Sequence, residues 1–169
     1  MALPKKLRNF NLFGDGENWV GQIEEVVLPK LSRKVEEYTG SGMDGAIEID
    51  MGQEKLELEW TAGGLMPDVF NGYGTLKIDD NMLRFNGAYV SDETAETIPV
   101  EIVVRGRHRE IDMGTAKNGD NNQVKVMTSC TYYKLSIAGA TKIEIDVPGY
   151  KFLVNGVDRL AEQRQAIGL

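Results

Sequence analysis

Three stretches of the chain alternate apolar and polar residues with a period of two. Ile47, Ile49 and Met51 alternate with Glu48 and Asp50, and Leu56, Leu58 and Trp60 alternate with Lys55, Glu57 and Glu59. Ile143, Ile145 and Val147 do the same against Lys142, Glu144 and Asp146. Successive side chains of a strand point to opposite faces, so each run predicts a strand with its apolar set on a core and its charged set opposite. Gly52-Gln53-Glu54 is expected to join the first two runs as a hairpin. Further strands are expected over residues 82–90, 98–111 and 123–138. In the last of these, Val124, Val126 and Thr128 hold one phase and Tyr133, Leu135 and Ile137 the opposite one. Such a phase change predicts a β-bulge between them.

The remaining chain adds a loop, a short helix and two ends. Residues 19–28 are expected as the first strand, and residues 31–38 continue extended. Residues 39–45 hold three glycines in seven positions and predict a flexible loop, long for a plain hairpin. Over residues 65–73, Pro67 at a first-turn position and Asn71-Gly72 as a stop predict a short helix, with Leu65, Met66, Val69 and Phe70 inward. Six Asn-Gly or Asp-Gly pairs, at positions 15, 44, 71, 86, 118 and 155, tolerate the positive φ of tight turns, although Asn-Gly also ends helices. The tail, residues 157–169, spaces Leu160, Ala161 and Arg164 as a short helix or an arm. The fold class is therefore mainly β, antiparallel, with one core.

Composition narrows the chemistry. A chain of 169 residues fits one domain and buries a substantial core. Its formal net charge of -7 excludes binding of nucleic acid through the overall field, which needs clustered Lys and Arg. No run approaches the roughly 18 apolar residues of a membrane span, and residues 1–10 lack the apolar stretch of a signal peptide. With a single cysteine, Cys130, no intrachain disulfide forms, which fits folding in a reducing cytosol.

The candidate chemistry is thin. Glu48, Asp50, Glu57 and Glu59, expected on one hairpin face, and Glu144 and Asp146 on another strand form acidic rows. Paired carboxylates serve acid–base catalysis or Ca²⁺ binding, but uniform rows along strands fit a solvated face better, or a wall beside a nucleic-acid path. Arg105, Arg107 and Arg109 form a basic strip suited to pairing with an acidic row, within the subunit or across an interface. His108 lacks metal-ligand company and is expected at the surface. Cys130, Trp19, Trp60, Tyr132 and Tyr133 read as core. Gly14-Asp15-Gly16 lacks the spacing of a phosphate loop. No catalytic, cofactor-binding or metal-binding residue is expected.

Taken segment by segment, the chain resembles the major tail tube protein of contractile-tailed bacteriophages and R-type pyocins. The carriers are ALPKKLRNFNLFGDGENW at the start, LPKLSRKVEEYTGSGMDG from Leu28, GGLMPDV from Gly63 and RGRHREIDMG from Arg105. YYKLSIAGATKIEIDV from Tyr132 and VNGVDRLAEQRQAIGL from Val154 complete the set, in order along nearly the whole chain. The resemblance implies an antiparallel β-sandwich or barrel with one short flanking α-helix, similar to the type VI secretion tube protein. It implies a virion-tail protein whose homo-hexameric rings stack into the inner tube of a contractile tail, a conduit for DNA without specific binding. Tail sheath, baseplate and tail terminator proteins are the implied partners. The segment Tyr38, Thr39, Gly40, Ser41, Gly42, Met43, Asp44, Gly45 and Ala46 would reach the adjacent ring. Arms over about residues 1–17 and 156–169 would grip neighbouring subunits.

The acidic rows are then candidates for the lumen, and Arg105, Arg107 and Arg109 for an inter-subunit or sheath-facing role. Three other readings stand beside this one. They are the tube of a DNA-free R-type bacteriocin, a monomeric β-barrel for a small ligand, and a hydrolase built on a buried carboxylate pair.

Overall fold

The computed structural model describes residues 1–169. In chain order the strands are β1 (Lys6–Gly14), β2 (Glu17–Asn18), β3 (Ile23–Val27), β4 (Arg33–Tyr38), β5 (Ile47–Gln53) and β6 (Leu56–Ala62). A 3₁₀ turn, Pro67–Gly72, precedes β7 (Asn81–Val90), β8 (Thr97–Asp112), β9 (Val124–Ile137) and β10 (Ala140–Asp146). Short strands β11 (Lys151–Val154) and β12 (Val157–Asp158) and the helix α1 (Ala161–Ala166) close the chain.

The long ribbon β8–β9 organises everything else. One half of β9, up to Cys130, pairs with β6, which carries β3 on its other edge. The other half, from Tyr132, pairs with β10, which leads to β11 and β12. On the far side of β8 come β7, β1 and β2. All pairings between the strands are antiparallel, and the ribbon passes from one packed layer into the other. Residues from both layers meet in one core of 17 buried apolar side chains, among them Leu12, Leu58, Trp60, Phe85, Val104, Val126 and Tyr133.

The passage between layers is the predicted bulge. Arg105 faces Tyr132 while Gly106 faces Cys130, so Thr131 is the extra residue. Buried positions run Val124, Val126, Thr128 and Cys130 before it and resume at Tyr133 after it. A Cβ on Gly106 would lie 1.9 Å from the Ser129 carbonyl oxygen, so only glycine admits so close a backbone approach.

Several local expectations need correction. The first strand is Lys6–Gly14, paired with β7, and residues 19–28 supply only the short β3. That places most of the expected N-terminal arm inside the sheet, with Met1–Lys5 outside it. The expected helix is a six-residue 3₁₀ turn. Three residues per turn align Met66 and Val69, which are buried, and leave Leu65 and Phe70 exposed. The only α-helix is C-terminal.

The expected hairpin from β5 to β6 does not exist. β5 pairs with β4, Tyr38 opposite Ile47 and Glu36 opposite Ile49, and the two form a separate two-stranded sheet. Gly52 and Gln53 therefore belong to β5, and Glu54 and Lys55 cross between the sheets. Of the Asn-Gly and Asp-Gly pairs, Asp15-Gly16 and Asn155-Gly156 form two-residue turns with positive φ at both positions, whereas Asn86-Gly87 lies within β7. The β9–β10 turn has the same backbone signature at Ala138-Gly139, a pair without that sequence signal.

Candidate assembly surfaces

The β4–β5 hairpin leaves the body of the molecule bare on both faces. Ile47, Ile49 and Met51 are 52%, 41% and 54% exposed, whereas Leu56, Leu58 and Trp60 of the next strand are 2%, 0% and 0% exposed. Val35 and Tyr38 are exposed too. The eight residues between β4 and β5 close with a turn in which the Met43 amide donates to the Gly40 carbonyl at 3.2 Å. No strand other than its partner pairs with either one.

The hairpin is anchored only at its base. The Arg33 guanidinium donates to both Asp50 oxygens, at 2.9 and 3.2 Å, and lies 5.1 Å from the centre of the Phe152 ring on β11. The Gly52 amide also donates to Asp50, at 2.9 Å. The Arg33 bond and then this amide hold the Asp50 carboxyl below its usual range. The Glu54 amide and the Gln53 side-chain amide both donate to the Ser32 carbonyl, at 3.0 and 3.1 Å. These contacts fix where the hairpin leaves the body; the tip segment, Tyr38 through Ala46, lies beyond them.

The six carboxylates do not share one surface. Glu48 and Asp50 sit on the hairpin, Glu57 and Glu59 on β6, and Glu144 and Asp146 on β10. Several are neutralised within the chain. Glu57 accepts from Arg109 at 2.7 Å and meets Lys55 at 3.0 Å; the Lys55 bond leads in lowering its pKa. Glu144 is bridged by Lys151 and accepts from the Tyr132 hydroxyl at 3.2 Å, and Lys151 lowers its pKa most. Glu48, Glu59 and Asp146 have no ion pair in the chain. Glu48 lies directly opposite Glu37 across the hairpin.

The basic strip divides as well. Arg109 is taken by Glu57, the pairing with an acidic residue within the subunit. Arg105 stands over the Tyr132 ring at 5.8 Å, and Arg107 is exposed; neither makes an ion pair. His108, between them on the inner face, is not at the surface: it is 4% exposed. Its Nδ1 lies 2.9 Å from the Thr128 hydroxyl, and its ring meets Trp60 edge-on at 6.4 Å. The phase of β8 decides this, because His108 continues the inward series Ile102, Val104 and Gly106. Burial pushes the imidazole below its ordinary pKa, opposed by the Asp15 charge.

Cys130 lies in the core as expected, and burial pushes its thiol up to about 12, so it is no thiolate nucleophile at neutral pH. Trp19, Trp60 and Tyr133 are core, with the two indoles 5.0 Å apart; Tyr132 is half-buried. At the N-terminal end, Arg8 pairs with Asp92 at 2.6 Å and Lys5 with Glu96 at 3.4 Å. At the C-terminal end, Arg164 of α1 donates to Asp158 at 2.5 Å and to the Tyr150 carbonyl at 2.9 Å. No helix is long and apolar enough to cross a membrane.

Comparison with known proteins gives a consistent picture. The family described as phage tail tube protein FII matches residues 4–168. The chain is 42% identical to the tail tube protein of Escherichia phage P2, over 100% of both chains. It is 41% identical to the major tail tube protein of Serratia phage KSP20, over 92% of this chain and 91% of that one. Among solved structures, a chain of the extended-state sheath/tube terminator of an extracellular contractile injection system (PVC) superposes with a TM-score of 0.59. That alignment is 10% identical and covers 79% of this chain and 97% of that one. A chain of the sheath-tube complex of the same system gives 0.55 at 11% identity, over 75% and 87%. At such identities these structures share the fold alone.

Proposed function

This chain belongs to the phage tail tube protein FII family, and from that membership we propose that six copies close into a ring and that rings stack into the inner tube of a contractile tail, a conduit for DNA. Near-full-length identity to proteins of two phages supports a DNA-carrying particle over a DNA-free bacteriocin. The observation that carries the stacking is the projecting β4–β5 hairpin. Three large apolar side chains, Ile47, Ile49 and Met51, remain about half exposed in the single chain. Exposed apolar surface of that kind marks an interaction site. A contact between a hairpin and a different surface of the next copy is heterologous, so it propagates rather than closes. Tyr38 through Ala46 are the residues that reach the adjacent ring, and Met1–Lys5 and the α1 tail grip neighbouring subunits.

The sheath, baseplate and tail terminator are the partners of this tube; fold neighbours occur in sheath-tube and sheath/tube terminator assemblies. The lumen takes its charge from the carboxylates that make no ion pair within the chain, chiefly Glu59 and Asp146. Sixfold repetition turns each into an acidic ring that repels phosphates over about 8 Å at physiological salt. A basic wall would instead hold DNA by counterion release.

Negative-stain electron microscopy of the concentrated protein tests assembly: hollow stacked tubes are expected, and a ligand-binding monomer at every concentration would count against it. For the lumen, Glu59→Lys with Asp146→Lys is expected to leave tubes intact and slow DNA ejection. Ejection at the parent rate would remove these residues from the wall.

A further inference from the structure

The hairpin has a second face, and it is acidic. Glu37 and Glu48 lie directly opposite each other across β4 and β5, both exposed and neither with a cation in reach. Like charges placed directly opposite destabilise a strand pair. Residues 33–53 hold five carboxylates (Glu36, Glu37, Asp44, Glu48, Asp50) against two cations (Arg33, Lys34), and Arg33 is already committed to Asp50. Within the chain only Arg33 and Asp50, at the base of this face, are paired; Glu37 and Glu48 form no ion pair. A cationic surface on another molecule would relieve this repulsion further.

The chain itself presents the complement. Arg105 and Arg107 stand two apart on the outer face of β8, exposed and without an ion pair, while Arg109 in the same row is satisfied by Glu57. Two guanidiniums at that spacing, on a strand held rigidly between β7 and β9, are preorganised donors for a pair of carboxylates. We propose that the Glu37–Glu48 face of the hairpin of one copy docks on Arg105 and Arg107 of a copy in the neighbouring ring. This rests on the hairpin being the inter-ring contact and adds the surface that receives it. It also takes Glu48 out of the lumen.

Charge exchange tests the pairing. Glu37→Arg with Glu48→Arg, and separately Arg105→Glu with Arg107→Glu, are compared with the parent under conditions in which the parent forms tubes. Far-ultraviolet circular dichroism and thermal melting of each variant establish folding. Loss of tubes in both double variants, with tubes restored when all four substitutions are combined, is the expected result. Tubes in the Glu37/Glu48 variant equal to the parent, or no restoration in the fourfold variant, would overturn the pairing. Ile47→Ser with Ile49→Ser separates the two levels of the argument. If that variant loses tubes while the Glu37/Glu48 variant keeps them, the hairpin contact stands and the charge pairing falls. If both keep tubes, both fall.

Discussion

Strands β5 and β6 follow one another with the same alternation and have opposite fates. β6 is paired on both edges, with β3 and β9, and its apolar face closes the core against Trp19 and His108. β5 is paired only with β4, and its apolar residues face outward. The difference shows that a period-two pattern reports which residues share a face and not what that face touches. In β6 the apolar set is covered by the same chain. In β5 the apolar set stays exposed in the single chain, and of the carboxylates on its reverse Asp50 is held by Arg33 while Glu48 has no ion pair.

Truncating one side chain on each strand breaks or sharpens this contrast most strongly. Leu58→Ala is expected to cost about 3 kcal/mol of unfolding free energy by loss of burial and a residual cavity. Ile49→Ala is expected to change it by less than about 0.5 kcal/mol. Denaturant titration of the dissociated protein measures both. Similar losses at the two sites would mean the hairpin packs on its own subunit.

Acid supplies a subtler contrast, because β6 leans on a buried imidazole and the hairpin on an exposed ion pair. Burial lowers the folded pKa of His108, so below its unfolded value of about 6.5 the unfolded chain takes up the proton first. Stability attributable to His108 is thus complete above that pH and lost as pH falls from there toward the folded value. Melting temperatures at pH 7.5 and 5.5 are expected to differ in the parent and to differ less in His108→Gln. The Arg33–Asp50 pair has the same sign but a lower window, below the ordinary 3.8 of Asp50. If His108→Gln keeps the parent's dependence, the imidazole is not its source.

The smallest expected effect concerns hairpin turns. Ala138 carries φ 52°, a left-handed conformation that costs alanine energy and that asparagine tolerates. Ala138→Asn is expected to raise stability by about 0.5 kcal/mol, since the β9–β10 turn belongs to the core sheet. The same measurement on Ser41→Asn, in the free loop of the other hairpin, is expected to show no change.

Much of this molecule was legible in its residues. The strands β6 through β10, the bulge in β9 and the burial of Trp60, Cys130 and Tyr133 all follow from apolar spacing, because a strand's side-chain period is fixed by backbone geometry. The glycine-rich loop was legible too. The burial of His108 follows from the phase of Ile102 and Val104, although the chemistry of the side chain by itself points to the surface. What alternation could not show was partnership. Pairing β5 with β4 across an eight-residue loop, rather than with β6 across a tight one, depends on contacts between distant residues.

Charge followed the same rule. Counting acids predicted rows; the folded chain split them over three places and matched Glu57 with Arg109, some fifty positions away in sequence. The residues alone therefore determined the strands β6 through β10, which of their residues share a face, and the family of the chain. Only the tertiary structure decided which faces are closed within one copy and which remain open, because that depends on which strand edges and cations the folded backbone brings together.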